Sequence, residues 1–153
     1  MAKKNSLVTR FSRIANNAYD KRIPIVPGLI MRVMRIIFSC DIPYHIKVGE
    51  GTVFFHNALG VVVHHKAKIG DYNKIMQNVT IGGRNGRSAP KIGDYCFIGT
   101  GACILGDVNI GNNVIIGANA VVIDDVPDNA VVVGVPAKVI KSVDSLLINK
   151  FKD

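Results

Sequence analysis

Residues 91–126 read KIGDYCFIGTGACILGDVNIGNNVIIGANAVVIDDV, and the spacing of their aliphatic residues decides the fold. Ile92, Ile98, Ile104, Ile110, Ile116 and Val122 stand six apart without a break. Four residues after each comes a small or β-branched residue: Cys96, Ala102, Val108, Val114, Ala120 and Val126. Glycine follows the aliphatic at Gly93, Gly99, Gly111 and Gly117. A period of six matches neither a helix nor an alternating strand. It matches a solenoid of very short strands joined by corners, in which each aliphatic points inward and stacks on its equivalents in neighbouring coils.

Working outward, Ile69, Ile75 and Ile81 keep the same six-residue step. The ladder breaks between Ile81 and Ile92, where the step is eleven. That gap holds 82-GGRNGRSAPK-91, whose Gly, Asn, Ser and Pro mark a loop leaving the coil. Because the repeat resumes, the loop is an excursion and not a domain boundary. It reads as a surface turn or as the wall of a ligand site.

The ends differ from the middle. In 28-GLIMRVMRIIF-38 the residues Leu29, Val33, Ile36 and Ile37 share one helical face, with Arg32 and Arg35 off it. Residues 6–18 read as another short helix. In 142-SVDSLLINKFK-152 a Ser in N-cap position precedes a short amphipathic pattern, a third expected helix. Such helices would cover the open ends of a solenoid.

A chain of 153 residues, 48% of them hydrophobic, suits one domain. No leader pattern is visible, and no charge-free apolar run is long enough to span a membrane. The cysteines Cys40, Cys96 and Cys103 lack metal-ligand or disulfide spacing, so reduced thiols and no metal are expected, with Cys96 filling a small core position. The net charge of +8 sits mostly in residues 1–40, where Lys3, Lys4, Arg10, Arg13, Lys21, Arg22, Arg32 and Arg35 face only Asp20. Peripheral contact of residues 1–38 with an anionic membrane surface is one reading of this segment, and a solvated basic face is the plainer one. Nucleic acid is set aside, because the segment lacks interleaved aromatics and any reader motif.

The stretches 41-DIPYHIKVGEGTVFFHNALGVVV-63, 79-VTIGG-83, 98-IGTGACILG-106 and 132-VVGVPAKVI-140 resemble the hexapeptide-repeat acetyltransferases. Among these the pattern is closest to serine O-acetyltransferases and the O-acetyltransferases of surface-polysaccharide clusters. The resemblance covers about residues 40–140. It implies an all-β fold, a left-handed parallel β-helix of hexapeptide repeats, with short N- and C-terminal helices added. The implied organisation is a basic helical segment over 1–40, a β-helix over 41–140 with a loop at 83–90, and a C-terminal helix over 141–153. The resemblance further implies acetyl-CoA as co-substrate, a homotrimer with sites between subunits, and a cytoplasmic location.

In the serine-acetyltransferase pattern a catalytic His follows an Asp by fifteen residues, and Asp41 and His56 stand fifteen apart in matching contexts. His56 is therefore the expected general base, with Asp41 orienting its ring. An alcohol must lose its proton as it attacks a thioester, and imidazole has the pKa for that transfer. The same likeness carries Gly83, Thr100 and Ala118 over as backbone contacts to coenzyme A and Lys138 as a partner for its phosphates. Arg84 and Arg87 are further phosphate candidates. The family motif has one residue fewer between this His and the next Gly, which keeps His64 as an alternative base. His45 and His65 read as structural.

The acceptor site departs from the serine pattern. Phe55 stands where serine acetyltransferases carry an Asp before the catalytic His. Ser88 and Ala89 stand where they carry a basic residue and a His. Their acidic helical domain has no counterpart in residues 1–40. An amino-acid zwitterion needs charged partners, so the expected acceptor is a small molecule with a sugar hydroxyl, its ring stacked on Phe55. Serine is the alternative acceptor, and a catalytically inactive binding solenoid is the second alternative.

Overall fold

The computed structural model describes residues 6–86 and 88–143. The repeat folds into a three-sided prism of parallel strands, each two or three residues long along the coils. The first face stacks Val62–Val63, Thr80–Gly82, Cys103–Leu105 and Val121–Val122. The second stacks Lys68–Ile69, Lys91–Ile92 and Asn109–Ile110, and bridges at Val48 and Val126 extend it. The third runs Phe54, Ile75, Ile98, Ile116 and Val132 in register, one residue per coil, which makes five coils.

The inward positions are the ones the six-residue step selects. Ile75, Ile81, Ile98, Ile104 and Ile116 are each 0% exposed. Burial of such a side chain is worth about 1.5–3 kcal/mol, and the ladder repeats it coil after coil. Cys96 fills the small core position expected of it, and burial pushes its thiol up to about 12. The ladder begins at Ile42, where Asp41 bridges to Val62. Buried Asn73 is paired inside the stack: it donates from Nδ2 to the Gly93 carbonyl and accepts the Cys96 N–H on Oδ1.

The corner between the second and third faces is a column of left-handed residues. Tyr72, Tyr95, Asn113 and Asn129 each donate a backbone N–H to the coil below, to Glu50, Asp71, Asp94 and Asn112. Tyr72 and Tyr95 stack face to face there, with ring centroids 5.0 Å apart.

An end coil has backbone groups and apolar surface that no neighbouring coil covers. Below the first coil, helix α1 (Leu7–Asp20) does that work. Its Thr9 Oγ1 accepts the Phe54 N–H at 3.1 Å. Arg13 donates to the Gly49 and Thr52 carbonyls, and Asn16 to those of Tyr44 and Ile46. Ser6 caps α1 by accepting the Thr9 N–H. Helix α2 (Val26–Phe38) packs back along α1 through Met34, with Phe11 of one helix against Phe38 of the other. The face shared by Leu29, Val33, Ile36 and Ile37 points away from the core.

At the other end an antiparallel hairpin, Ala130–Gly134 with Ala137–Ser142, extends the third face. Ser142 thus ends a strand opposite Ala130, past the boundary expected at residue 140. Val143 is buried and donates its N–H to the Asn129 carbonyl, and the expected C-terminal helix from residue 144 onward lies outside the described residues.

Candidate active site

One edge of the prism, where the third face turns into the first, carries three of the expected site residues, His56, Thr100 and Ala118. Two residues past the inward residues Phe54, Ile75, Ile98 and Ile116 of the third face stand His56, Gln77, Thr100 and Ala118, one on each successive coil. Coils are spaced at roughly 4.8 Å, so His56 and Ala118 stand about 14 Å apart along this edge.

The His56 corner is longer than those above it. From Phe54 to Val63 the step is nine residues, where Ile75 to Ile81 and Ile98 to Ile104 take six. The surplus is taken up by a short turn, Phe55–Ala58. In it His56, Asn57 and Ala58 all have left-handed backbones, with φ of 51°, 52° and 55°. Each such residue other than glycine costs roughly 1–2 kcal/mol, and strain of this kind collects at functional sites. The turn is held from both sides. Gly60 donates to the Ser39 carbonyl, and Asn78 donates to that of Leu59. Ala58 is wholly buried, while Phe55 and His56 stay exposed.

Asp41 lies in the ladder next to this corner, its backbone N–H donating to the Val61 carbonyl and its own carbonyl accepting from Val63. Its carboxylate does not hydrogen-bond to His56. Instead Oδ2 accepts from Arg35 Nη2 of α2 at 2.6 Å, and this pairing raises the arginine's pKa. Among the described residues Oδ1 has no hydrogen-bond partner, and neither does the His56 ring.

His64 sits half-buried just past Val63, with Nδ1 accepting the Lys66 N–H at 3.2 Å. That bond leaves Nε2 to carry the proton of a neutral ring. Burial, with the nearby charges of His65 and Lys66, lowers its pKa. His45 Nε2 lies 3.1 Å from the His65 carbonyl, and the rings of His64 and His65 pack 4.2 Å apart. Among the described residues no group of His, Cys, Asp or Glu could hold a metal ion.

The residues expected to meet coenzyme A separate into two sets. Thr100 and Ala118 stand on the His56 edge, where Gly99 lets two coils close up: a Cβ on it would meet the Ala118 nitrogen at 2.6 Å. Gly83 opens the excursion loop at the next edge, across the first face. Lys138 lies in the closing hairpin, exposed and ion-paired with Asp124 at 3.5 Å. Arg84 packs beside Gly106, and Arg87 is outside the described residues. The loop returns through Ala89, which is 1% exposed and part of the core.

Gln77 was missed from sequence. Its side-chain oxygen is buried and accepts no hydrogen bond from a described residue. An unpaired buried acceptor costs about 1–3 kcal/mol. It sits between His56 and Thr100 on the same edge. The signal available in the sequence was positional: Gln77 follows Ile75 as His56 follows Phe54.

Fold and edge together define a hexapeptide-repeat protein with a candidate acyl-transfer site. The model of the bacterial transferase hexapeptide (six repeats) matches residues 89–124. The serine acetyltransferase of Synechococcus elongatus is 38% identical over 131 residues, covering 84% of this chain and 53% of that protein. The structure of Neisseria gonorrhoeae serine acetyltransferase in complex with serine superposes with a TM-score of 0.81 at 36% identity, over 88% of this chain and 55% of that one. A serine acetyltransferase in complex with CoA gives 0.78 at 32% identity, over 87% and 55%. The chain belongs to the hexapeptide-repeat transferase family, and its β-helix is the left-handed one of that family. It spans about half the length of the serine acetyltransferase from Synechococcus, 53%.

Proposed function

We propose that this protein transfers an acetyl group from acetyl-CoA to a hydroxyl oxygen, with L-serine as the first acceptor to test. The observation that carries the proposal is the edge itself, which lines up exposed His56 with Gln77, Thr100 and Ala118. The relatives' names point to the acceptor. Acetyl-CoA supplies an activated thioester. His56 accepts the hydroxyl proton as the oxygen attacks, a contribution of roughly 10² to 10⁴ in rate. Asp41 steadies the imidazolium: Arg35 engages Oδ2, which leaves Oδ1 as the acceptor for a ring N–H. Backbone groups at Thr100 and Ala118 and the Gln77 amide hold the pantetheine arm, with Gly83 and Lys138 as outer contacts. The transfer is direct. Burial pushes the Cys40 and Cys96 thiols up to about 11 and about 12, and the half-buried Cys103 turns its thiol to the Gly101 carbonyl. Exposed Phe55, Leu59 and Val62 beside the edge support a trimer whose neighbours close the site.

A second acceptor class, a sugar hydroxyl, is favoured by two observations. Phe55 offers an exposed ring next to His56, and Ala89 turns into the core where a polar group would meet a zwitterion. Thiol release from acetyl-CoA, offered L-serine and then sugars and nucleotide sugars, tests both readings, with His56→Ala as control. Turnover on serine, lost in the variant, supports the first reading. Turnover on a sugar alone replaces serine by the second. Silence on every acceptor together with no calorimetric binding of CoA overturns the enzyme and leaves a binding solenoid.

A further inference from the structure

We infer that the helical hairpin seats this protein on an anionic lipid surface, through the outer face of α2 and the turn that joins the helices. A surface helix ordinarily turns its apolar stripe inward and its polar face to water. Helix α2 does not. Its inner side uses Pro27, Met34 and part of Ile30, and its outer side carries Leu29, Val33, Ile36 and Ile37. Ile36 is 81% exposed and Ile37 66%. These residues recur at helical spacing and form one continuous stripe.

The turn repeats the theme. Ile25, at the start of α2, is 84% exposed and has φ +70°. A β-branched side chain in that region is an outlier. The fold therefore spends strain to hold an isoleucine in the open, beside exposed Ile23.

Charge identifies the occupant. Arg10, Lys21, Arg22 and Arg32 are exposed and form no ion pair with a described residue. The segment's acid, Asp20, lies toward Lys47 at 3.9 Å. Arg22 and Arg32 line one hollow of about 750 Å³ together with Asp20, Tyr19, Ile25 and Leu29. Guanidinium groups over an apolar floor suit a phosphate head above its acyl chain. A second copy of the same face would set like charges against each other around the stripe, which disfavours a self-contact. No helix among the described residues is long and apolar enough to cross a membrane, so α2 would lie in the interface plane.

The test is co-sedimentation of the full chain with vesicles of phosphatidylcholine alone or mixed with phosphatidylserine. Binding to the mixed vesicles only, weakened by salt, is expected. Arg22→Gln with Arg32→Gln should lower the affinity roughly thirtyfold, since each basic residue near such a surface contributes about 1 kcal/mol. Ile36→Ser with Ile37→Ser should abolish binding. Both sites are exposed, so an unchanged melting temperature serves as the folding control. Absent binding, or binding indifferent to these substitutions, overturns the inference. So does a change of oligomeric state in the serine variant, which would name a second copy as the occupant.

Discussion

The corner that carries His56 and the corners stacked above it stand on the same edge and make the same turn, yet they are built differently. At Gln77, Thr100 and Ala118 the chain turns within the six-residue step and settles on Asn78, Gly101 or Asn119 as its left-handed residue. At His56 three residues in a row take that conformation, and none is glycine. The regular corners spend nothing beyond what Gly and Asn tolerate. The first corner stores strain and projects a histidine. Uniform repetition builds the frame of this molecule, and one local departure from it exposes the histidine proposed as the base.

The comparison breaks most visibly at His56 itself. His56→Ala should lower acetyl transfer by about 10² to 10⁴ with little change in melting temperature, because the ring is exposed and makes no hydrogen bond to a described residue. A stopped assay together with a thermal melt checks both halves. In the regular region the effect should fall on stability alone. Ile104→Ala removes a wholly buried side chain and should cost about 2–5 kcal/mol in a denaturant titration. Excising His56 to Ala58 would restore the six-residue step at the first corner. The shortened chain should unfold within about 2 kcal/mol of the parent, since it sheds left-handed strain, and should be inactive. A collapse of cooperative unfolding would show instead that the turn belongs to the frame.

Gln77→Met should separate the two roles along the edge. Removing an unpaired buried acceptor should raise stability by about 1 kcal/mol, while KM for acetyl-CoA rises severalfold. A fall in stability would mean that the amide is paired by the frame. The smallest effect expected is a pH dependence at His64. Its folded-state pKa is lowered, so the unfolded chain binds the proton more readily. Stability from this group is complete above its ordinary pKa near 6.5 and is lost as pH falls through the lower folded value. Melting temperature measured from neutral pH downward should decline slightly less for His64→Gln than for the parent.

The ladder was legible because an inward aliphatic every six residues has few other uses. His56 was singled out through its spacing from Asp41 and the residues around both, and its place at an exposed turn on the edge is what the fold adds. The left-handed run was not, because His, Asn and Ala carry no conformational mark of the kind Gly does. Nor was the Arg35–Asp41 pair: it joins a helix to a coil, and no periodicity links the two. The stripe on α2 was visible as a stripe, but its direction was fixed only when α1 took the place beneath the first coil. Ala89 could be seen as a missing polar group. That its methyl closes the core could not.

The tyrosines give both regions an optical signature. The chain has four tyrosines and no tryptophan. They occur as two pairs: Tyr72 with Tyr95 across neighbouring coils, and Tyr19 of α1 with Tyr44 of the first coil, 5.4 Å between centroids. Near-ultraviolet circular dichroism should therefore hold two separable contributions, one reporting whether coil rests on coil and the other whether the hairpin is docked. Tyr19→Phe and Tyr72→Phe would assign them. Lipid contact that lifted the hairpin would then be seen as the loss of one band while the other stayed.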